Sequence, residues 1–349
     1  MNTTIASLQL ISFLSKSSFI SSKNGIIIRD INFRRSFSSF LSTKELNSIC
    51  IIRSSFKHIL SNAVAVSLLN YIYNYESRLN SVVNIRYSIF SNIRNQNSIG
   101  GALYCENCYL IVSNCHFNGC HAQSQGGAFA IKGYKLDVVN TCIYNCSAVK
   151  TDDRGCNAFY SLDCNGYVYQ SAAYLSSPVY RLGADSLYDF SNLMAVVLFW
   201  NSTECHGQGG SSGGAFRSLS AGSYMNYSTI FNSSDYTTIE TWYSSIILFR
   251  NNLVHNSRNH ACHLWGISNT YSIYYQCLFF DCHKSFDSSY TSFSFNQCTS
   301  DYPYMSIAST SGFTTFPNQP IPACNALPLE ITQNKYKGLQ YIFLLHFLY

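Results

Sequence analysis

The sequence predicts an all-β fold: a single right-handed parallel β-helix, a solenoid with coils of about 23–29 residues. Three observations carry this. One stretch is written twice at a step of 26 residues: Gly100-Gly101-Ala102-Leu103 returns as Gly126-Gly127-Ala128-Phe129. In the same register Leu110, Val112, Asn114, Phe117 and Cys120 return as Leu136, Val138, Asn140, Ile143 and Cys146. Second, Tyr109 to Phe117 is β-branched, alternates in places and contains no helical run, while Asn118-Gly119 follows as punctuation. Third, the Gly-Gly-Ala group suits a tight corner that needs positive φ and no bulk. A leucine-rich horseshoe has a similar period but needs leucines at fixed spacing, which this stretch lacks. Stacking at about 4.8 Å per coil would set like side chains above one another, giving internal ladders of Phe, Ile, Cys and Asn.

Taken in order, residues 1–79 read as degenerate N-terminal coils or a cap. Met1 to Leu14 has no basic start and Lys16 interrupts the apolar run, so no signal peptide is evident. Gly25 to Ile28 and Ile49 to Ile52 are strand-like, Phe33 and Phe56 lie one period apart, and Phe56-x-x-Ile59 recurs as Phe90-x-x-Ile93. Tyr71 to Tyr75 suits an edge or cap. Residues 80–300 read as the β-helix proper, anchored at Phe90, Phe117 and Ile143. A weaker coil start follows at Gly155-Cys156-Asn157-Ala158-Phe159, and the period is hard to follow from Ser161 to Thr203. The register returns at Gly213, with anchors at Ile230, Leu253 and Phe279; Gln297-Cys298 starts the last coil. Residues 301–349 read as an irregular cap or tail. Pro303, Pro317, Pro320, Pro322 and Pro328 end regular pairing, and the apolar run Leu339 to Tyr349 is too short to span a bilayer.

Charged residues make up 11% of the chain, whereas Tyr (27) and Phe (24) are abundant. Solubility must come from Ser, Asn and Tyr. The 22 Lys and Arg read as scattered singly apart from Arg34-Arg35, without a basic helix or stripe, so nucleic-acid binding gains no support. Fifteen cysteines permit either disulfides or buried thiol ladders. Cys120 and Cys146 lie one period apart, Cys115, Cys142, Cys277 and Cys282 fill similar slots, and buried reduced ladders are the expectation.

Several motifs resemble a known family. Asn114-Cys115-His116-Phe117-Asn118-Gly119-Cys120, the Gly-Gly-Ala-Phe units at Gly126 and Gly213, Gly183 to Phe190 and Cys205 to Gly210 carry the resemblance. Such units are similar to the passenger repeats of chlamydial polymorphic outer-membrane proteins. They resemble more closely the right-handed β-helix region proteins of trichomonad protists. The match covers roughly residues 80–300. It implies the solenoid and a surface or secreted role in adhesion or recognition, with glycans or proteins on other cells as partners. Phe-x-x-Asn is mostly Phe-x-x-Cys or Phe-x-x-Ile here, so outer-membrane export does not carry over.

Chemistry finds few candidates. Cys105-x-x-Cys108 with Cys115-His116 and Cys120-His121 has zinc-like spacing, but the repeat already accounts for Cys115 and Cys120. His116, His121, His206, His263 and His283 each follow a cysteine; with the cysteine inward, the histidine faces out, where it fills surface, senses acid or binds a transition metal. No Gly-x-Ser-x-Gly elbow or phosphate loop is present. Carbohydrate-cleaving β-helix enzymes need clustered carboxylates, and among 17 acids the one adjacent pair is Asp152-Asp153. Asn-x-Ser/Thr acceptors at Asn2, Asn145, Asn201, Asn226 and Asn232 are expected by composition. The expectation is a non-catalytic recognition scaffold with no catalytic, cofactor or metal residues; the alternatives are a carbohydrate-processing enzyme or an intracellular scaffold.

Overall fold

The computed structural model describes residues 3–13, 18, 20, 25–43, 48–67, 81–96, 99–148, 156–176, 186–191, 194–205, 213–219, 222–231, 237–242, 246–254, 264–267, 270–280 and 291–300. These residues form a β-solenoid of parallel sheets, without helix. One side of the coil is a twelve-stranded sheet of short strands, from Gln9–Phe13 to Thr299–Ser300. An 18-stranded sheet, whose long strands such as Leu103–Ser113, Phe129–Val139 and Cys156–Tyr169 run through a bend, and a three-stranded sheet of Arg94–Asn95, His121–Ala122 and Ser147–Ala148 form the rest of the coil. The bend falls at Asn107, which has φ of 56°, and at Gly133, which has φ of 78°. A right-handed sense is the one that parallel crossovers adopt.

The first corner explains much of the sequence. Ser7, Asp30, Arg53, Tyr87, Asn114, Asn140, Gln170, Phe199, Tyr227, Arg250, Gln276 and Gln297 all take φ between 45 and 57°. A non-glycine residue in this region costs roughly 1–2 kcal/mol. The cost is offset because the turn keeps each N–H in the ladder: Asn114 donates to the Val139 carbonyl, Asn140 to Tyr169 and Gln170 to Leu198 on successive coils, at 2.9–3.1 Å. A second corner repeats the device at Arg35, His58, Asn92, Gly119, Asn145, Leu175 and Glu204.

The turn leaves the next residue's N–H without a strand partner, and the following coil supplies one. Ile31 N–H donates to Ser54 Oγ (3.3 Å), Ser54 N–H to Ser88 Oγ (3.2 Å), Thr141 N–H to Ser171 Oγ (3.0 Å) and Trp200 N–H to Ser228 Oγ (3.1 Å). Each hydroxyl in turn donates to the carbonyl two residues back in its own coil. Asn251 serves the same slot with Oδ1, and Cys298 with Sγ. Cys115, Cys277 and Cys298 therefore occupy a position otherwise filled by serine, and Cys120, Cys146 and Cys205 do so at the second corner beside Ser176. The slot wants a small donor–acceptor rather than a thiol as such. Cys115→Ser is thus expected to stay within about 1 kcal/mol of the parent in urea unfolding, whereas Cys115→Val, which orphans a buried N–H, should lose about 1–3 kcal/mol. Equal midpoints for both variants would sink this account.

Inside, rings stack as the period requires. Phe33, Phe40, Phe56, Phe90, Phe117, Phe129 and Phe159 form a continuous column with centroids 4.9–5.4 Å apart. Phe33, Phe56, Phe90, Phe117 and Ile143 pair directly in register, as do Ile230, Leu253 and Phe279. The expected anchors are therefore the actual ones. The period fades after Ser161 because Ala173 and Ser202 take the anchor positions, and the buried bulk of this region includes Trp200. Coil length also varies more widely than 23–29 residues. The corner step is 34 from Ser54 to Ser88 and 21 from Cys277 to Cys298, yet Ile52 still pairs with Arg86 and Leu278 with Thr299.

The Gly-Gly-Ala corner behaves as its chemistry demands. Gly100 and Gly126 have φ of 69 and 70°. Gly101 has an ordinary φ, but a Cβ there would sit 1.8 Å from the Gly127 carbonyl oxygen of the next coil. Tyr71 to Tyr75 and everything beyond residue 300 lie outside the described residues.

Candidate binding faces

The corners divide inward from outward residues. Cys105, Cys108, Cys115 and Cys120 are all fully buried or nearly so, whereas His116 and His121 face outward and are half-buried. The zinc-like spacing is thus split between core and surface. Among the described residues no three His, Cys, Asp or Glu converge as a metal group. His121 instead bonds Ser147 Oγ through Nδ1 at 3.0 Å. His206, His263 and His283 lie outside the described residues, as do Cys282, Asp152 and Asp153.

Among the described residues ten cysteines are free thiols, and all of them but Cys50 are buried; Cys142 is disulfide-bonded. The reduced ladder therefore holds at Cys120 and Cys146, while Cys142 departs from it. Cys142 occupies an outward register position between His116 and Ala172 rather than a corner slot. Burial pushes the Cys115 thiol up to about 12 and that of Cys205 to about 11. Cys108 is raised first by its bond with Cys105 and then by burial, and Cys146 and Cys277 by burial first. Thiols raised in the folded state contribute stability that is intact below pH 9 and lost as pH climbs through 11–12. His116 and His121 are lowered by burial, His121 also by Arg94. Their contribution is present above about pH 6.5 and lost as pH falls below it. The urea midpoint should therefore plateau near neutrality and fall on both sides, with no native-state thiol labelling at pH 8 from Cys115 or Cys205. Rapid labelling of either thiol without unfolding would contradict this.

Each carboxylate whose side chain is described has a partner on at least one oxygen, while Asp137 Oδ1 is buried without a hydrogen-bond partner among the described residues. Arg53 grips Asp30 through two bonds of 2.9 and 3.0 Å. Glu106 accepts from Tyr104 at 2.9 Å. Asp137 accepts from the Tyr109 hydroxyl and lies 3.7 Å from Lys135, whose ammonium sits over the Tyr109 ring. Burial, then the bond to Asp137, raises the Tyr109 phenol. Glu204 faces Tyr174 and raises its phenol.

Two outward features run along the axis. In the C-terminal half, Tyr169, Phe199, Tyr227, Phe249 and Tyr275 form an aromatic edge on consecutive coils, with centroids 5.1–5.6 Å apart. Ring planes alternate between near-perpendicular and stacked, and Arg250 lies over Phe249. Amides line its end, where Arg250 bonds Gln276 and Gln276 bonds Gln297, each at 2.7 Å.

Against known proteins the chain matches no family model, no curated protein and no solved structure. The resemblance to the trichomonad β-helix proteins thus rests on its motifs, and what the structure shows is the β-solenoid itself. Among the described residues no helix is long and apolar enough to cross a membrane.

The second outward feature escaped sequence reasoning. The singly scattered cations of the N-terminal coils are gathered by stacking: Arg34 lies directly over Lys57, and Arg29 and Arg86 flank Ile52 in one column, with Arg53 beside them. The signal available in sequence was regional charge. Residues 1–104 hold eleven Lys and Arg against three Asp and Glu, whereas the remainder holds eleven against fourteen. The acceptor tripeptides fare differently. Asn145 is exposed at the second corner, Asn226 is half-buried, and Asn201 is 4% exposed, too enclosed for a glycan in the folded chain. Asn2 and Asn232 lie outside the described residues.

Proposed function

We propose that this protein is a non-catalytic recognition scaffold, acting at a cell surface or after secretion, and that it engages glycans or proteins of other cells. The observation that carries this reading is the aromatic edge from Tyr169 to Tyr275 beside exposed amides. Large rings with few torsions give contact area at low entropic cost, and amides give adaptable hydrogen bonds. The rings also space their faces and edges at the coil repeat, which suits a ligand with a repeating surface. Antibody labelling of intact, unpermeabilised source cells tests the location, and binding of the tagged protein to cells tests the role. Surface signal is expected, with saturable binding that Tyr227→Ser plus Phe249→Ser weakens about tenfold. Labelling only after permeabilisation would replace this reading with an intracellular scaffold.

A further inference from the structure

We propose that the N-terminal coils carry a distinct face for an anionic polysaccharide, one bearing sulfate or carboxylate groups along a hydroxyl-rich chain. This rests on the recognition reading above and names a ligand class and a site for it. Between residues 25 and 96 the described chain holds Arg29, Arg34, Arg35, Arg53, Lys57, Arg86 and Arg94 against one acid, Asp30. Register places five of them in two rows, with Arg35 at the second corner and Arg94 past it, paired with His121. Arg34 and Lys57 are one coil apart on the twelve-stranded sheet, about 4.8 Å in the stacking direction. Arg29, Arg53 and Arg86 zigzag over three consecutive coils at the adjoining corner, and all three are exposed. Like charges this close repel, and Asp30 relieves only Arg53. A chain with so few charges gains nothing for its own fold from placing them together.

The guanidinium groups are also held in place. Arg34 Nε donates to Asn32 Oδ1 and Arg86 Nε to Asn84 Oδ1, each at 2.8 Å. Their terminal nitrogens then point away from these tethers, ready for bidentate contact with an oxyanion. Fixing them beforehand lowers the entropy lost on binding. Asn32 and Asn84 stand among the cations as partners for hydroxyl groups.

The surroundings favour a glycan over the other polyanions. A DNA groove is read by an inserted helix or ribbon, and among the described residues this face is a run of short strands with no such projection. Stable docking to an anionic bilayer is strengthened by apolar groups projecting among the cations. The exposed apolar pair here, Phe37 (59% exposed) and Leu60 (37%), lies past the second corner, beside Arg35 and Arg94 and outside the rows of Arg34 and Lys57 and of Arg29, Arg53 and Arg86. Tyr87, 46% exposed, borders the rows and offers one ring to a sugar.

Heparin serves as the sulfated probe, with desulfated heparin, a single-stranded DNA oligonucleotide and phosphatidylserine vesicles beside it. The full chain is compared with Arg34→Gln/Lys57→Gln/Arg86→Gln and with Lys132→Gln/Lys135→Gln/Arg217→Gln, which removes equal charge elsewhere; urea midpoints verify that both remain folded. Heparin should bind in a salt-sensitive manner, desulfated heparin poorly. The first variant should bind about tenfold or more weakly with a flatter salt dependence, and the second within about twofold of the parent. Equal weakening by both variants, or no heparin binding, overturns the proposal. Tighter binding to DNA or to vesicles than to heparin overturns it in favour of that ligand. Binding to cells that persists without heparin binding removes this inference alone, while loss of both removes the recognition reading as well.

Discussion

Gly101→Ala should prevent the regular coils from closing, with a loss of at least about 4 kcal/mol or no soluble protein at all. The added Cβ would lie 1.8 Å from the Gly127 carbonyl oxygen and 3.0 Å from the His121 nitrogen. Both are backbone atoms, so no side chain can swing aside. Relief requires the two coils to part by more than an ångström. That movement would stretch the bonds from Gly100 N–H to Gln125, Gly101 N–H to Gly126 and Ala102 N–H to Ala128, now 2.7–2.8 Å. Gly222→Ala is the matched comparison. Its nearest side-chain neighbour would be Met194 Sδ at 3.7 Å, so only the left-handed φ of 81° is strained, and about 1–2 kcal/mol should be lost. A Gly101→Ala chain that unfolds at the parental urea concentration would refute the close-approach explanation.

Phe117→Ala should lose about 3–5 kcal/mol. Phe117 is fully buried, stacks on Phe90 at 4.9 Å and 7°, and meets Phe129 at 5.4 Å. Neither neighbour can fill the vacancy, because each is held at its own coil by the backbone ladder. Since solenoid stability is a chain of nearest-neighbour terms, the damage should begin locally. Amide exchange should quicken first around Phe90 to Ile143 and only later in the coils near Phe279. Phe37→Ala should change stability by no more than about 0.5 kcal/mol, as that ring is mostly in solvent. A uniform rise in exchange along the whole chain would show instead that the solenoid melts as one unit.

Reading the chain by its period recovered the architecture, the anchors Phe33, Phe56, Phe90, Phe117, Ile230, Leu253 and Phe279, and the tight Gly-Gly corner. Those features are legible because parallel stacking sets each side chain against its counterpart one coil away, so each rung repeats a similar demand on residue type. The thiols were legible only in part. Their recurrence was visible, but the reason, a small donor–acceptor serving the N–H released by a left-handed corner, needed the hydrogen bonds from Ser54, Ser88, Ser171 and Ser228. Asn and Gln at those corners look like loop residues in sequence. In the structure they are a ladder with φ near 50°.

What sequence alone determined, then, is the repeat and the alternation of inside and outside. The assembly of outward residues into faces was decided by tertiary structure. Arg34 meets Lys57 across 23 residues, whereas Arg86 reaches the same region only because a coil of 34 residues closes in register. Tyr169 and Phe199, and then Phe249 and Tyr275, are brought side by side in the same way. Core positions repeat because stacking constrains them. Surface positions do not, and when coil length varies no fixed spacing in the sequence can show which of them will be neighbours.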